Sequence, residues 1–217
     1  MVEIVEAKFM TSAPNATLAP DNELQDEVVF MARSNVGKSS LLNALTNRKG
    51  LAKVSATPGK TRLINYFDVT FVDRDNNSEK SFAKFVDLPG FGYAKVSKSI
   101  KSDWERNLTS FVEQRSQIKL FIHLIDCRHP KLEIDASVAN FLIEVADENQ
   151  TVLQVFTKID KLNQKEKSAL KKEYPDALMI SNSKKTGIKQ LSSIIHTILF
   201  EENQNDILED EVIEDDV

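Results

Sequence analysis

The stretch from Met31 to Ser40 combines residue types that could bind a phosphate group. It follows the apolar run 28–31 and precedes a helical pattern that begins at Leu41, so we expect a strand, a loop and then a helix. A loop that enters a helix N-terminus presents unpaired backbone N–H groups to an anion, and the helix dipole adds partial positive charge there. The stretch is therefore predicted to be a phosphate-binding loop.

Three residues of this loop suit a triphosphate and its metal ion. Gly37 lets the backbone come close, Lys38 reaches the terminal phosphates, and the Ser39 hydroxyl suits Mg²⁺. The motif usually begins with glycine, whereas this chain has Ala32. If that position needs a positive φ, the methyl group costs about 1 kcal/mol; if it needs only close approach, the cost is local crowding. The alternative to an intact loop is an ordinary helix start that contains glycine and lysine.

Four polar segments directly follow the last apolar residue of a predicted strand. They are Ala32–Ser40, Asp87–Gly90, Thr157–Asp160 and Ser181–Lys184. Strands separated by helices predict crossover units and a parallel sheet, in which ligands bind beyond the carboxyl ends of the strands. We therefore expect the four segments to meet at one rim of the sheet.

The helices and strands are predicted from the spacing of apolar residues. A hairpin is expected from 64–72 and 81–86, buried strands at 120–125 and 152–156, and a short strand at 178–180. Helices are expected at 38–47, 99–115, 136–146, 165–173 and 188–200. Residues 51–63 are predicted to form a long loop with a Pro-Gly turn, and loops of this length are usually functional or mobile.

Length and charge favour one main domain with short ends. The chain has 217 residues, of which 41% are hydrophobic and 28% charged, enough to bury a core in one unit. We expect a partly packed N-terminal lead-in over 1–27, the main domain over 28–200, and a disordered acidic tail over 201–217. The tail holds nine of the 33 acidic residues and none of the 28 basic ones, so residues 1–200 carry a net charge of +4.

The sequence has neither a long apolar run nor a basic segment followed by an apolar one. We therefore expect no membrane span, no signal peptide and a cytoplasmic location. The single cysteine, Cys127, excludes an internal disulfide. His123 and His196 have no carboxylate or cysteine cluster at metal-binding spacing beside them, so we expect both to be structural.

Taken together, these motifs resemble those of the EngB family of Ras-like GTP-binding proteins, within the TrmE–Era–EngA–EngB–septin group. The resemblance rests on 33–46, 56–61, 86–96 and 183–188 and extends over about residues 6–200. It implies a three-layer α/β fold of the Ras-like P-loop GTPase type, with a six-stranded, mixed but mostly parallel sheet and helices on both faces. It also implies binding of GTP or GDP with Mg²⁺, and a role in assembly of the large ribosomal subunit that affects cell division and septation.

The resemblance assigns contacts with the nucleotide to residues of several loops. They are Ala32, Arg33, Ser34, Asn35, Val36, Gly37, Lys38, Ser39, Ser40, Gly59, Lys60, Thr61, Arg62, Leu63, Asp87, Leu88, Pro89, Gly90, Thr157, Lys158, Ile159, Asp160, Ile180, Ser181 and Asn182.

Metal ligands and catalytic residues are a smaller set within these. Mg²⁺ is expected on the hydroxyls of Ser39 and Thr61, with Asp87 acting through water. Thr57 is the alternative to Thr61. Lys38, Thr61 and Gly90 are expected to act on the terminal phosphate, and loss of that phosphate would release the loop that carries the threonine.

Asp160 is the residue expected to select the base. Guanine offers an N1–H and an N2 amino group side by side, which one carboxylate can accept together, whereas adenine offers a lone pair at N1 and no N2 amine. Lys158 would lay its stem along the base, and backbone N–H groups near Ser181 and Asn182 would meet guanine O6. Thr157 stands where many GTPases have asparagine, and EngB-like proteins resemble this chain there. Alternatively, the Thr-Lys-Ile-Asp segment is only a turn that leads into a helix.

Hydrolysis is expected to be slow, because the residue after Gly90 is Phe91, which cannot orient a water molecule as a glutamine would. By analogy with unstimulated GTPases we expect about 10⁻⁴ to 10⁻² s⁻¹. Asn35 resembles the residue that helps related proteins use K⁺ near the phosphates.

Three classes of function remain open at this point. The first is a GTP-driven switch, a monomer that acts on a precursor of the large ribosomal subunit; the second is an ATP-using P-loop enzyme; the third is a guanine-nucleotide-binding module without significant hydrolysis. Lysines that follow the Asp87 loop and those between 158 and 189 are either solvated or in contact with RNA. The acidic tail could compete for such a basic surface.

Overall fold

The computed structural model describes residues 1–20, 25–53, 63–91 and 108–201. Its strands are β1 (Val2–Ala13), β2 (Glu27–Ala32), β3 (Ile64–Asp73), β4 (Glu79–Asp87), β5 (Ile118–Asp126), β6 (Thr151–Thr157) and β7 (Leu178–Met179). Its helices are α1 (Lys38–Leu45), α2 (Glu133–Val145), α3 (Gln164–Glu173) and α4 (Ile188–His196), together with a 3₁₀ turn (Ile159–Lys161) and a π-helical end (Thr197–Glu201). Residues 108–113 are also helical.

The strands form one mixed sheet in the order β1-β3-β4-β2-β5-β6-β7. The pairs β1/β3 and β3/β4 are antiparallel, and the other neighbours are parallel. Every residue of the central strand β2 is buried. Because side chains alternate along a strand, Val28 and Phe30 pack toward α1 and α4, whereas Val29 and Met31 pack toward α2 and residues 108–113. The three-layer α/β prediction is confirmed.

The sheet has seven strands where the sequence predicted six, because the lead-in contributes β1. β1 is 12 residues long and pairs with the whole of β3. Its register is interrupted between Ile4 and Glu6 and again between Phe9 and Thr11. Each interruption shifts the apolar alternation by one residue, so period-two spacing, the usual signal of a strand, is lost in the sequence.

Most other predicted elements are confirmed with shifted ends. The hairpin, the two buried strands and the short strand are present. The helix after the phosphate loop ends at Leu45, and the last helix becomes π-helical after His196. Of the helix predicted at 99–115, residues 99–107 lie outside the described ranges, as do 202–217 of the acidic tail. None of the helices that are described is long and apolar enough to span a bilayer.

A buried ion pair closes the amino end of the sheet. Glu27 begins β2 and has no exposed surface, and it accepts from Arg115 Nε at 2.7 Å and from a terminal nitrogen of the same guanidinium. The guanidinium also donates to the Pro20 carbonyl at 3.2 and 3.3 Å and lies over the ring of Tyr66. One arginine thus ties the segment before β2 to the sheet.

We predict that Arg115→Met lowers the free energy of unfolding by about 3 kcal/mol, because it removes the guanidinium that pairs with a fully buried carboxylate. Urea denaturation measures this loss. Arg74→Met is the matched control, since Arg74 pairs with Glu3 at 3.0 Å on the surface, and it should cost about 0.5 kcal/mol or less. Equal losses in the two variants would contradict the role of burial.

Candidate nucleotide-binding site

The loop between β2 and α1 has the backbone that anion binding requires. Gly37 caps α1 with φ of 110° and Asn35 has φ of 67°, both in the left-handed region, and the Gly37 carbonyl accepts from Leu41 N at 2.9 Å. Ala32 is the buried last residue of the extended strand β2. Its position therefore needs no positive φ, and of the two costs considered for its methyl group only crowding applies.

Three consecutive carbonyls of this loop accept hydrogen bonds from side chains at the end of β6 or in the segments that follow β6 and β7. The donors are Lys158 Nζ to Asn35 O at 2.6 Å, Thr157 Oγ1 to Val36 O at 2.9 Å, and Asn182 Nδ2 to Gly37 O at 3.1 Å. In a planar trans peptide the N–H points away from the C=O of the preceding residue. Fixing the Val36 and Gly37 carbonyls therefore turns the N–H groups of Gly37 and Lys38 to the other side of the loop.

The Lys158 ammonium has a second partner, Asp126, at 2.9 Å. Asp126 ends β5 and is almost fully buried, and Arg128 holds it with its guanidinium at 2.9 and 2.7 Å and its backbone N–H at 3.1 Å. Burial alone would raise the pKa of Asp126, but the bonds from Arg128 and Lys158 outweigh burial and hold the pKa well below its usual value. The carboxylate is therefore ionised. Asp126 was not predicted as a site residue, although it directly follows the buried strand predicted at 120–125.

At the other end of the loop, the Lys38 ammonium donates to Asp87 Oδ1 and to the Leu88 carbonyl. Asp87, the last residue of β4, is buried and also accepts from Asn65 Nδ2 at 3.3 Å. Asn65 was not predicted, because an asparagine within a strand of a hairpin gives no signal in the sequence. The cation assigned to phosphate and the carboxylate assigned to Mg²⁺ thus lie side by side, next to Ser39 in the first turn of α1.

The segment after β4 lies directly against the phosphate loop. Phe91 N donates to Ala32 O at 3.1 Å, and Ser34 N donates to Phe91 O at 3.2 Å. A Cβ atom on Gly90 would lie 3.0 Å from Ser34 Oγ and 3.3 Å from Ser34 N, so a larger residue would push the two loops apart. The ring of Phe91 is buried near His123, with 6.2 Å between ring centroids.

A buried polar cluster supports the loop from behind. Arg33 Nε donates to Asp135 Oδ2 of α2 at 3.3 Å, and His123 Nε2 lies 4.0 Å from Asp135 Oδ1. Burial lowers the pKa of His123 to about 4, so the imidazole is neutral at pH 7, and burial raises the pKa of Asp135. His123 lies inside the fold next to Asp135, and neither of its ring nitrogens has a hydrogen-bond partner among the described residues.

At the base end, Asp160 follows Lys158, whose own φ is 63°. Ser181 Oγ donates to Asp160 Oδ1 at 2.6 Å, and this bond lowers the pKa of Asp160. The side chain is ionised and 13% exposed, so it can accept further hydrogen bonds. The Ser181 N–H, however, donates to Thr186 O at 3.0 Å. This N–H is therefore engaged within its own loop.

The four polar segments expected at one rim are therefore brought together by the contacts described above. Of the remaining assigned residues, Ile180 is buried and its carbonyl accepts from Ile159 N at 3.2 Å. Leu63, directly before β3, is 41% exposed. Thr57, Gly59, Lys60, Thr61 and Arg62 lie outside the described residues.

We predict that Thr157→Val lowers the free energy of unfolding by about 1 kcal/mol, because valine keeps the shape of the buried threonine but cannot donate to the Val36 carbonyl. Thr157→Ser keeps the hydroxyl and is the matched control for the substitution itself. Urea denaturation of both variants measures the free energy of unfolding, which can be compared directly if the dependence on urea concentration is unchanged. A valine variant as stable as the wild type would show that the bond contributes nothing to folding.

Comparisons with known proteins agree with this geometry. A family model described as 50S ribosome-binding GTPase matches residues 27–158. The probable GTP-binding protein EngB of Aliarcobacter butzleri is 53% identical over 91% of this chain and 98% of its own length. The probable GTP-binding protein EngB of Wolinella succinogenes is 45% identical over 93% of this chain and 100% of its own length. A crystal structure of a probable GTP-binding protein engB covers 81% of this chain, with a TM-score of 0.54 and 21% sequence identity. A crystal structure of Aquifex aeolicus Era bound to GDP and aluminium fluoride covers 80% of this chain, with a TM-score of 0.57 and 24% sequence identity. The chain belongs to the EngB family of GTP-binding proteins.

Proposed function

We propose that this protein binds GTP and hydrolyses it slowly, as a switch in assembly of the large ribosomal subunit and hence in normal cell division and septation. It would act in the cytoplasm as a monomer. The observation that carries the nucleotide part is the convergence of an ionised Asp160 and the phosphate loop, joined by the three side-chain bonds to consecutive carbonyls. The ribosomal part rests on the family, whose model is described as 50S ribosome-binding.

The triphosphate would lie along the N–H groups of the loop and the N-terminus of α1, with Lys38 on the terminal phosphates. Ser39 and, through water, Asp87 would hold Mg²⁺; both offer oxygen donors, which this ion prefers, and Asp87 lies in a polar pocket formed with Lys38 and Asn65. When bound, Mg²⁺ offsets negative charge on the phosphates. We assign its remaining protein ligand to Thr61 on the family resemblance.

Guanine would be read by Asp160, which accepts from N1–H and the N2 amine together. Adenine would leave this carboxylate facing a lone pair, and mismatches of this kind discriminate strongly. The stem of Lys158 would lie along the base, because its ammonium is fixed at the phosphate loop. Guanine O6 falls to the Asn182 N–H, since the Ser181 N–H is engaged with Thr186.

Switching would depend on the terminal phosphate. Gly90 would donate its N–H to that phosphate, and Thr61 would release its loop when the phosphate leaves. Slow turnover follows from Phe91, whose buried ring cannot orient an attacking water. Asn35 is the residue we assign to K⁺, on the family resemblance alone.

A module that binds guanine nucleotides without hydrolysing them is the second candidate. The same burial of Phe91 favours it, because the position after Gly90 then contributes no polar group to the reaction. Single-turnover hydrolysis separates it from the proposed enzyme.

Contact with the ribosomal precursor would use basic surface. α3 exposes Lys165, Lys171 and Lys172, and the loop before α4 exposes Lys184 and Lys185. Such surfaces supply salt-dependent affinity for the phosphates of RNA.

The wild-type protein should bind fluorescent GDP and GTP at least about a hundredfold more tightly than ATP, because an acceptor left without a matching donor discriminates strongly. Asp160→Asn should weaken GDP binding and strengthen binding of xanthosine diphosphate, which has a carbonyl where guanine has the N2 amine and so accepts from an amide N–H. Fluorescence titration gives these affinities. Similar affinity of the wild type for ATP and GTP would contradict the assignment of Asp160.

Single-turnover hydrolysis of GTP by the isolated protein in Na⁺ should proceed at about 10⁻⁴ to 10⁻² s⁻¹. It should rise about tenfold or more in K⁺ and again with precursors of the large subunit, since each supplies positive charge or positioning that the chain lacks. Lys38→Met is the inactive control. Rapid turnover in Na⁺ alone would refute slow hydrolysis. No turnover under any condition would instead support the second candidate, a module that binds guanine nucleotides without hydrolysing them.

A further inference from the structure

One charged group at the site has no place in the proposed function: the buried carboxylate of Asp126. Among the described residues it contacts neither the phosphate loop nor Asp160. One of its oxygens, Oδ2, accepts a hydrogen bond from the Lys158 ammonium at 2.9 Å. The same oxygen accepts from Arg128 at 2.7 Å. A carboxylate shared by two cations in a buried position is a strong electrostatic anchor.

Lys158 needs such an anchor. Its backbone is left-handed, at φ of 63°, and its long side chain would have many rotamers if the ammonium were free. Two acceptors fix the ammonium, Asn35 O at 2.6 Å and Asp126 Oδ2 at 2.9 Å. One acceptor belongs to the phosphate loop and the other to the end of β5. The ammonium is therefore bound to two separate elements, which hold it in one position.

Arg128 in turn holds Asp126. Its guanidinium makes two parallel bonds to the two carboxylate oxygens, and its backbone N–H makes a third. This fork fixes the plane of the carboxylate. The Arg128 side chain is 45% exposed whereas that of Asp126 is 2% exposed, so the outer end of this chain of contacts is accessible from the surface.

We propose that Asp126, oriented by Arg128, is a positioning residue that holds Lys158 over the base site and thereby sets how long a guanine nucleotide stays bound. The inference rests on the proposed function, because the stem of Lys158 matters only if it covers a guanine base. The carboxylate contacts the Lys158 ammonium, so losing it would free the lysine to leave the base, and the expected effect is on nucleotide release.

Release of fluorescent GDP from the full-length protein, chased with unlabelled GDP, tests the proposal. Asp126→Asn keeps the shape but removes the charge, and should speed release about tenfold, the usual effect of losing one charge-assisted hydrogen bond. Arg128→Ala should give a smaller increase, because the carboxylate remains but is less firmly oriented. Lys131→Ala, which removes the exposed Lys131–Glu173 pair, is the surface control and should leave release unchanged.

A double-mutant cycle separates positioning from a general structural role. Lys158→Met keeps the apolar stem and removes the ammonium, so Asp126→Asn added to it should speed release by less than about twofold if Asp126 acts through the lysine. Independent, multiplying effects would overturn the proposal, and so would Asp126→Asn release at the wild-type rate. Arg128→Ala indistinguishable from Lys131→Ala would overturn the role of Arg128.

This experiment distinguishes failure of the proposed function from failure of the role of Asp126. A wild-type protein that does not retain GDP would refute the proposed function itself. A wild-type protein that retains GDP, with variants that release it at the same rate, would refute only the role of Asp126. Thermal unfolding without nucleotide confirms that each variant is folded before release is measured.

Discussion

The geometry of this site depends on three consecutive main-chain carbonyls. Those of Asn35, Val36 and Gly37 each accept from a side chain that is distant in the sequence. Asn35 is a non-glycine residue with a left-handed backbone, and strain of this kind persists only where the surroundings fix it. Holding the carbonyls on one side presents the following N–H groups on the other, which is what a phosphate needs.

This arrangement makes the base end and the phosphate end one structure. Thr157 reaches Val36 O and also lies 3.3 Å from Ile125 O, so its hydroxyl lies between the phosphate loop and the end of β5. Asn182 reaches Gly37 O from the loop whose Ser181 binds Asp160. The position of Asp160 and the conformation of the loop between β2 and α1 are therefore linked, because the same short segments hold both.

Much of the fold and the site followed from the sequence because strand ends are visible in it. Apolar runs that stop at a polar residue located the rim, and the segments at 87, 157 and 181 are there. The partners of individual side chains could not be predicted from the sequence. Asp126 lies between Ile125 and Cys127, which belong to no recognisable motif, and its bond to Lys158 depends on how β5 and β6 align. β1 was missed for a different reason, since its interrupted register removes the alternation by which an edge strand is recognised.

The three bonds to the loop carbonyls join residues that are far apart in the sequence, and this affects when they can form during synthesis. Their partners are 121, 123 and 145 residues apart, so the phosphate loop leaves the ribosome long before the residues that shape it have been synthesised. Contacts of such high sequence separation form late, because closing long loops costs entropy that only the completed fold repays. A nascent chain would thus expose the loop sequence before the side chains that fix its carbonyls have been made, and the loop could take its final shape only after synthesis has passed Asn182.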